Sequence, residues 1–366
     1  MARTRVLIVD DSALMRQLLT DILRQDSEIE VVGTAPDPIA AHAACERLAP
    51  DVMTLDVEMP RMDGLRFLEN MMRVRPMPVV MVSSLTERGC DVTLRALELG
   101  AFDFVTKPKI DMARGTVALG AELVAKVKAA ARARIRPASR RKPVATLAAP
   151  PRLSPIRTTH KLVAIGASTG GTEALRDVLS ALPAESPPIV IVQHMPPVFT
   201  KQFADRLDKQ CKIRVREACD GDVVMPGHAL IAPGGDYHME IVSSGAQWKV
   251  RLRSAPPLNH HRPSVDVLFE SCARSVGPNA VGIILTGMGA DGAAGLLSMK
   301  RSGARTIAQD AATSVVFGMP KAAIECGAVD VVAPLDEVAE RLLRAVGELS
   351  GGHTTASRTS KTGEVF

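Results

Sequence analysis

LVAIGASTGGTEAL, running from Leu162 to Leu175, passes from an apolar run through glycines and a serine into residues spaced as on a helix. That order predicts a strand, a tight turn and a helix start. Gly166-x-Ser168-x-Gly170 fits the G-x-S-x-G elbow, in which small residues let the backbone turn sharply and lift a serine hydroxyl to the end of a strand. The turn also leaves backbone N–H groups unpaired at the helix N-terminus, ready for developing negative charge. A nucleophilic serine needs a base, and the next strand-like run, Ile189 to Val192, is followed almost at once by His194. A third run, Val281 to Leu285, ends in TGMGADG and offers Asp291 to orient that histidine. Ligands of a parallel sheet bind beyond the carboxyl ends of its strands, so one edge gathers Ser168, His194 and Asp291.

Upstream of the elbow, strand-like runs recur at Arg5–Val9, Glu30–Thr34, Val52–Leu55, Pro78–Val82 and Phe102–Thr106, separated by segments of helical periodicity. This alternation predicts a doubly wound, flavodoxin-like parallel sheet of five strands. The first strand ends in Asp10 and Asp11 and the third in Asp56, so these acids meet at the carboxyl edge. Crowded carboxylates repel unless a cation sits among them, and hard oxygen donors favour Mg²⁺. The fourth strand ends in Ser83 and the fifth leads to Lys107. A hydroxyl and an ammonium facing an acid cluster suit a phosphoryl group carried by one of the acids, with Asp56 as the acceptor.

Residues 1–125 therefore resemble the receiver domain of two-component systems, matching that family's positions in order at Asp10, Asp11, Asp56, Ser83, Phe104 and Lys107. The resemblance implies a histidine kinase as phosphodonor and a metal held also by the backbone carbonyl of Glu58. It further implies that Phe104 reorients on phosphorylation while Ser83 moves to meet the phosphate.

Downstream of the elbow, Val198–Gln210 reads as an amphipathic helix, and short strand runs follow at Ile213–Glu217, Ala229–Ala232, His238–Val242 and Trp248–Arg253. With turns such as PGG at 233–235 between them, these four runs predict an antiparallel meander or hairpin set. The βα pattern then resumes from Val281 to a closing helix ending near Leu349. The expected fold is a doubly wound, mainly parallel α/β domain with an antiparallel insertion. Gly287-x-Gly289-x-x-Gly292, with Asp310 after the next strand, imitates a dinucleotide fingerprint. Asp291 argues against that use, because a carboxylate in the loop opposes a bound pyrophosphate. The order Ser, His, Asp also differs from the Ser, Asp, His of α/β-hydrolases, so only the chemistry is shared with them.

IGASTGGTEAL, IVQHMPPVFT, HHRPSVDVLF and ILTGMGADGAAG are similar to the catalytic domain of the CheB family of chemotaxis methylesterases. That resemblance covers residues 161–348 and, with the receiver in front, matches in domain order. It implies hydrolysis of glutamate γ-methyl esters on the cytoplasmic helices of chemoreceptors, and commonly deamidation of receptor glutamines. It assigns Ser168 as nucleophile, His194 as general base and then acid, Asp291 as orienter, and the backbone N–H of Met288 as an oxyanion donor, with no cofactor for this reaction. It also implies a receiver that packs over the esterase edge until Asp56 is phosphorylated. Arg262, Pro263, Ser264 and Asp266 are expected either to shape the pocket or to form a structural loop or cap. His260 and His261 lack a third ligand and are set aside as a metal site.

The remaining features set limits. A chain of 366 residues, 46% hydrophobic, is expected to form about two domains. No apolar run approaches the length of a membrane span, and two acids follow closely on the N-terminus, so a cytoplasmic protein is expected, peripheral to its membrane receptors. Six cysteines without C-x-x-C spacing point to neither zinc nor a disulfide framework. The net charge of +5 arises in one segment, since Lys126 to Lys161 holds eleven Lys and Arg and no acid. With few aromatics, nucleic-acid binding is not supported. That basic, proline-rich segment, 126–160, reads as a linker, and 349–366 as a small, polar tail. The closing TGEVF shares its glutamate and terminal phenylalanine with peptides that tether a methyltransferase to some chemoreceptors, which makes the methyltransferase a candidate partner.

Overall fold

The computed structural model describes residues 3–59, 64–107, 113–133 and 161–351, the side chains of 113–118, 350 and 351 excepted. The linker residues 134–160 and the tail with TGEVF lie outside the described residues. In the first domain β1 (Thr4–Val9), β2 (Ile29–Ala35), β3 (Val52–Asp56), β4 (Val79–Ser83) and β5 (Asp103–Thr106) alternate with α1 (Ala13–Arg24), α2 (Pro38–Leu48), α3 (Gly64–Val74), α4 (Glu87–Glu98) and α5 (Ala113–Arg132). The strands pair in parallel in the order β2-β1-β3-β4-β5. Both faces are covered by helices, which is why β3 and β4 are buried along their whole length rather than alternating. The helix starts are marked by short polar caps: Ser12, Asp37 and Thr86 each accept a backbone N–H from the first turn. Helix α5 continues to Arg132, past the expected domain end at residue 125, because Val127 and Ala130 are buried on the same core as Leu123.

The second domain contains β6 (Leu162–Ala167), α6 (Gly171–Ser180), β7 (Ile189–Gln193), α7 (Phe199–Gln210), β8 (Arg214–Glu217), β9 (His228–Ile231), β10 (His238–Ser244), β11 (Gln247–Arg253), α8 (Val265–Ser275), β12 (Ala280–Ile284), α9 (Ala293–Arg301), β13 (Arg305–Gln309), α10 (Met319–Glu325), β14 (Val331–Ala333) and α11 (Leu335–Gly351). Seven strands form a parallel sheet in the order β14-β13-β12-β6-β7-β9-β8. The expected meander is confined to β10 and β11, which make a separate antiparallel hairpin. β8 and β9 instead extend the parallel sheet. Their crossover contains no helix; it runs along β11, where Gly221, Val224 and Val250 exchange backbone hydrogen bonds with that strand or the crossover itself.

β6 enters the middle of the sheet, after which the chain builds outward first on the β7 side and later on the β12 side. The crevice where this direction reverses lies at the carboxyl ends of β7, β6 and β12. Gly170 makes the turn out of β6 at φ 76, a left-handed conformation that suits glycine. Packing is closest around Val265, the first residue of α8. A Cβ at Gly166 would meet its Cγ1 at 2.2 Å, and one at Gly292 would meet it at 2.5 Å. Two glycines therefore let α8 press its first turn onto the sheet.

The domains share one apolar cluster, which runs from Met81, Leu94 and Phe104 of the first into Phe199, Phe203 and Leu207 of the second. Among the described residues no helix is long and apolar enough to cross a membrane.

Candidate active site

The elbow is fixed by backbone pairing. Ser168 donates its N–H to Thr286 O at 3.0 Å, and His194 donates its own to Ala167 O at 3.1 Å. The three loops after β6, β7 and β12, which carry Ser168, His194 and Asp291, are thus stitched to one another at the crevice. Ser168 is half-buried, while the His194 and Asp291 side chains are 8% and 1% exposed. His194 Nε2 bonds Asp291 Oδ2 at 2.8 Å. The carboxylate places the ring proton on Nε2, which leaves Nδ1 as a lone pair; Nδ1 is buried and has no partner among the described residues.

Asp291 is saturated with donors. Besides His194 it accepts from Ser264 Oγ at 2.8 Å, Val265 N at 2.7 Å, Asp266 N at 3.3 Å and Asn259 Nδ2 at 3.2 Å. The two amides belong to the first turn of α8, whose dipole also favours an anion. Burial works against the charged form, yet the His194 bond and charge, with Ser264 and Val265, hold this carboxyl well below the usual range. Asp266 behaves oppositely. Burial and the Asp291 charge push it up to about 6, against the Gly295 N–H that it accepts at 2.7 Å.

Of the four residues expected at the pocket or in a structural loop, three brace their surroundings. Ser264 and Asp266 support Asp291 and the start of α9, and Pro263 follows a cis peptide bond. The Arg262 guanidinium donates to Gly235 O, Ala255 O and Asp236 Oδ1. The Met288 loop passes close to the elbow, since a Cβ on Gly287 would lie 2.8 Å from Ser168 Cβ. No hydrogen bond occupies the Met288 N–H among the described residues.

The receiver edge carries the second cluster. Ligand atoms of Asp10, Asp11 and Asp56 lie within 4.8 Å of one another. Lys107 Nζ pairs with Asp56 at 2.8 Å and Asp10 at 3.2 Å. Burial pushes the Asp56 carboxyl up to about 6, against the pull of Lys107 and the Glu58 N–H at 3.1 Å. Three convergent carboxylates with a single ammonium against the two buried ones suit a small hard dication. The Ser83 hydroxyl is engaged elsewhere: it donates to Ser84 O and Gly89 O and accepts from Thr93 Oγ1 at 2.7 Å.

Phe104 faces the other domain. Its ring stacks on Phe199 with centroids 4.5 Å apart, and Val198, held at φ 73, delivers Phe199 to that position. Beside the stack, Asp103 Oδ2 accepts from Thr169 Oγ1 at 2.5 Å and Asp103 Oδ1 pairs with Lys126 Nζ at 3.3 Å. Thr169 is the residue after Ser168, so the receiver grips the elbow itself. Sequence reasoning passed over Asp103, Thr169, Lys126, Phe199 and Asn259. Thr169 and Asp103 stand beside residues already singled out, which was the available signal.

Residues 163–342 match the family model described as CheB methylesterase, and residues 6–117 match that of the response regulator receiver domain. A Bordetella bronchiseptica protein named protein-glutamate methylesterase/protein-glutamine glutaminase is 58% identical over 350 residues, 95% of this chain and 99% of its own length. The chain belongs to the CheB methylesterase family. A Salmonella typhi member with the same name is 57% identical over 348 residues, 94% of this chain and 98% of that one. Among solved structures, the CheB methylesterase catalytic domain of Thermotoga maritima is 42% identical, covering 50% of this chain and 97% of that one with a TM-score of 0.49. Membership in this family joins a receiver and an esterase in one chain.

Proposed function

We infer that this chain is a phosphorylation-activated protein-glutamate methylesterase and protein-glutamine glutaminase. It acts on chemoreceptors and receives its phosphoryl group at Asp56 from a histidine kinase. The observation that carries the reading is the His194–Asp291 bond beside the Ser168 elbow, at the ends of three adjacent parallel strands.

In the reaction, His194 Nδ1 takes the hydroxyl proton as Ser168 Oγ attacks the γ-ester carbonyl. The oxyanion rests on backbone N–H groups, Met288 among them. When the tetrahedral species collapses, His194 returns the proton to the leaving oxygen and methanol departs. Water, deprotonated by the same ring, then releases glutamate and restores Ser168. A glutamine follows the same route with ammonia as the leaving group. Throughout, Asp291 keeps the ring in one tautomer and faces the imidazolium that forms twice per turnover.

On the receiver, Asp10, Asp11, Asp56 and the Glu58 carbonyl would hold Mg²⁺, which supplies charge neutralisation for the phosphoryl group. Lys107 and Ser83 contact its oxygens. Ser83 must leave Gly89 O to do so, and Phe104 lies on β5, which pairs with the Ser83 strand, so phosphorylation biases the stack on Phe199. The Asp103–Thr169 grip and this stack support a docked receiver that restrains the elbow. The TGEVF tail is read as an anchor for the methyltransferase, and calorimetry with that peptide tests it.

Methanol release from methylated receptor membranes tests the whole reading, with and without a small phosphodonor plus Mg²⁺. The parent should respond to the phosphodonor, Asp56→Ala should lose the response, and Ser168→Ala should release nothing. Release that survives in Ser168→Ala would remove the esterase assignment.

A further inference from the structure

The base of the proposed reaction is held on more than one side. The His261 ring lies parallel to His194 with centroids 3.7 Å apart and an angle of 8°. The turn that delivers it is built for that placement. Leu258 and His261 exchange backbone hydrogen bonds of 2.9 and 3.1 Å, closing a four-residue turn. Its two central residues, Asn259 and His260, sit at φ 52 and φ 67, a left-handed pair that side chains other than glycine rarely adopt. Asn259 Nδ2 bonds Asp266 and Asp291, and Arg262 ties the following backbone to Gly235 and Ala255. Contacts therefore close a ring: His194 to Asp291, Asp291 to Asn259, along the turn to His261, and back to His194.

A hydrogen bond at Nε2 fixes one point of an imidazole but leaves the ring free to tilt about it. A second ring stacked across the face removes that freedom and holds Nδ1 in one plane. Such stacking helps only if the second ring is uncharged, because two imidazolium rings in contact repel. Burial first, then the neighbouring His194, push the His261 ring down to about 4, so it is neutral near pH 7. Among the described residues, its ring nitrogens make no hydrogen bond that would give it a separate structural task.

Resting on the esterase reading, we propose that His261 is a positioning residue whose neutral ring face aligns the base His194 and stabilises its imidazolium. The ring acts as a flat π surface, and its nitrogens are dispensable.

The test uses the full chain with phosphodonor and Mg²⁺, comparing the parent with His261→Phe, His261→Leu and His261→Ala. Two readouts are taken: methanol release from receptor membranes, and the rate at which a small p-nitrophenyl phosphonate labels Ser168. His261→Leu and His261→Ala should lower kcat about 10- to 100-fold with KM within about twofold, and slow labelling to match. His261→Phe should stay within about threefold of the parent on both. Equal losses in the Phe and Leu variants would overturn the proposal, as would parent-like kcat in the Leu variant or a loss confined to KM. Labelling that follows the variants while membranes yield no methanol would sink the receptor-ester reading and leave His261 in place. No labelling of the parent would overturn both.

Discussion

Each domain places a buried carboxylate opposite a basic side chain at the carboxyl edge of a parallel sheet, and the two sites differ in how many donors surround the acid. Asp291 accepts from five groups, and its carboxyl is held well below the ordinary range. Asp56 has Lys107 and one backbone N–H, and burial pushes it up to about 6. The acid assigned to orient the base is saturated. The acid assigned to accept a phosphoryl group retains an oxygen with few competitors. Counting donors around a buried carboxylate thus separates a supporting role from a reactive one where burial alone does not.

This contrast breaks most sharply at the esterase site. Ser168→Ala should lower methanol release by at least about 10⁴-fold, and Asp291→Asn by about 10³- to 10⁴-fold with KM little changed, because the wrong tautomer of His194 then dominates. An Asp291→Asn enzyme within about tenfold of the parent would mean that the five donors, rather than the charge, do the orienting. Next comes the dependence of one site on the other. A chain lacking residues 1–150 should release methanol several-fold to tens of times faster than the unphosphorylated parent, since the Thr169–Asp103 grip and the Phe104–Phe199 stack go with the receiver. Unchanged turnover would show that the docked arrangement exerts no restraint.

A smaller effect is expected from the polar rim of the same interface. Arg206 pairs with Asp91 at 2.9 Å and Glu98 at 2.6 Å across the domains, but Asp91 is largely exposed. Exposed pairs contribute about 0.5 kcal/mol each, so losing both in Arg206→Ala should raise basal turnover about fivefold, and 0.5 M salt should mimic it. The slightest effect concerns pH. His261 has a folded pKa of about 4 against an ordinary value of 6.5, so its neutral form adds stability that is complete above about 6.5 and is lost as pH falls toward 4. Between pH 7 and 4.5 the parent's Tm should drop about 2–4 °C further than that of His261→Phe, roughly 1 kcal/mol after allowing for partial exposure of the ring. Parallel curves would place the ring's charge change outside this window.

The framework was legible because strand ends in parallel sheets are marked locally. Glycines, a serine, a histidine and acids follow directly on apolar runs, and the alternation of runs sets the sheet class. Pairing partners are not marked in this way. β8 and β9 are four residues each, with a helix-free segment, residues 218–227, between them that reads as the loop of a hairpin set, yet this crossover pairs with β11 and leaves both strands parallel. The His194–His261 stack was hidden for a related reason. Its members are far apart in sequence, and only the left-handed turn at Asn259 and His260 brings them face to face. Asp103 was passed over because an acid inside a strand reads as an edge residue, whereas its partner Thr169 lies in the other domain.

The seating of Val265 between Gly166 and Gly292 has a genetic corollary. A methyl group at Gly166 would drive α8 off the sheet and pull the Val265 amide from Asp291, so loss-of-function alleles should be frequent at this codon although no chemistry resides there. Selection for revertants of Gly166→Ala should recover Val265→Ala, which vacates the contested volume. The same second-site change should fail to rescue Gly292→Ala, because Gly292 also holds φ at 92, a conformation that trimming a neighbour does not relieve.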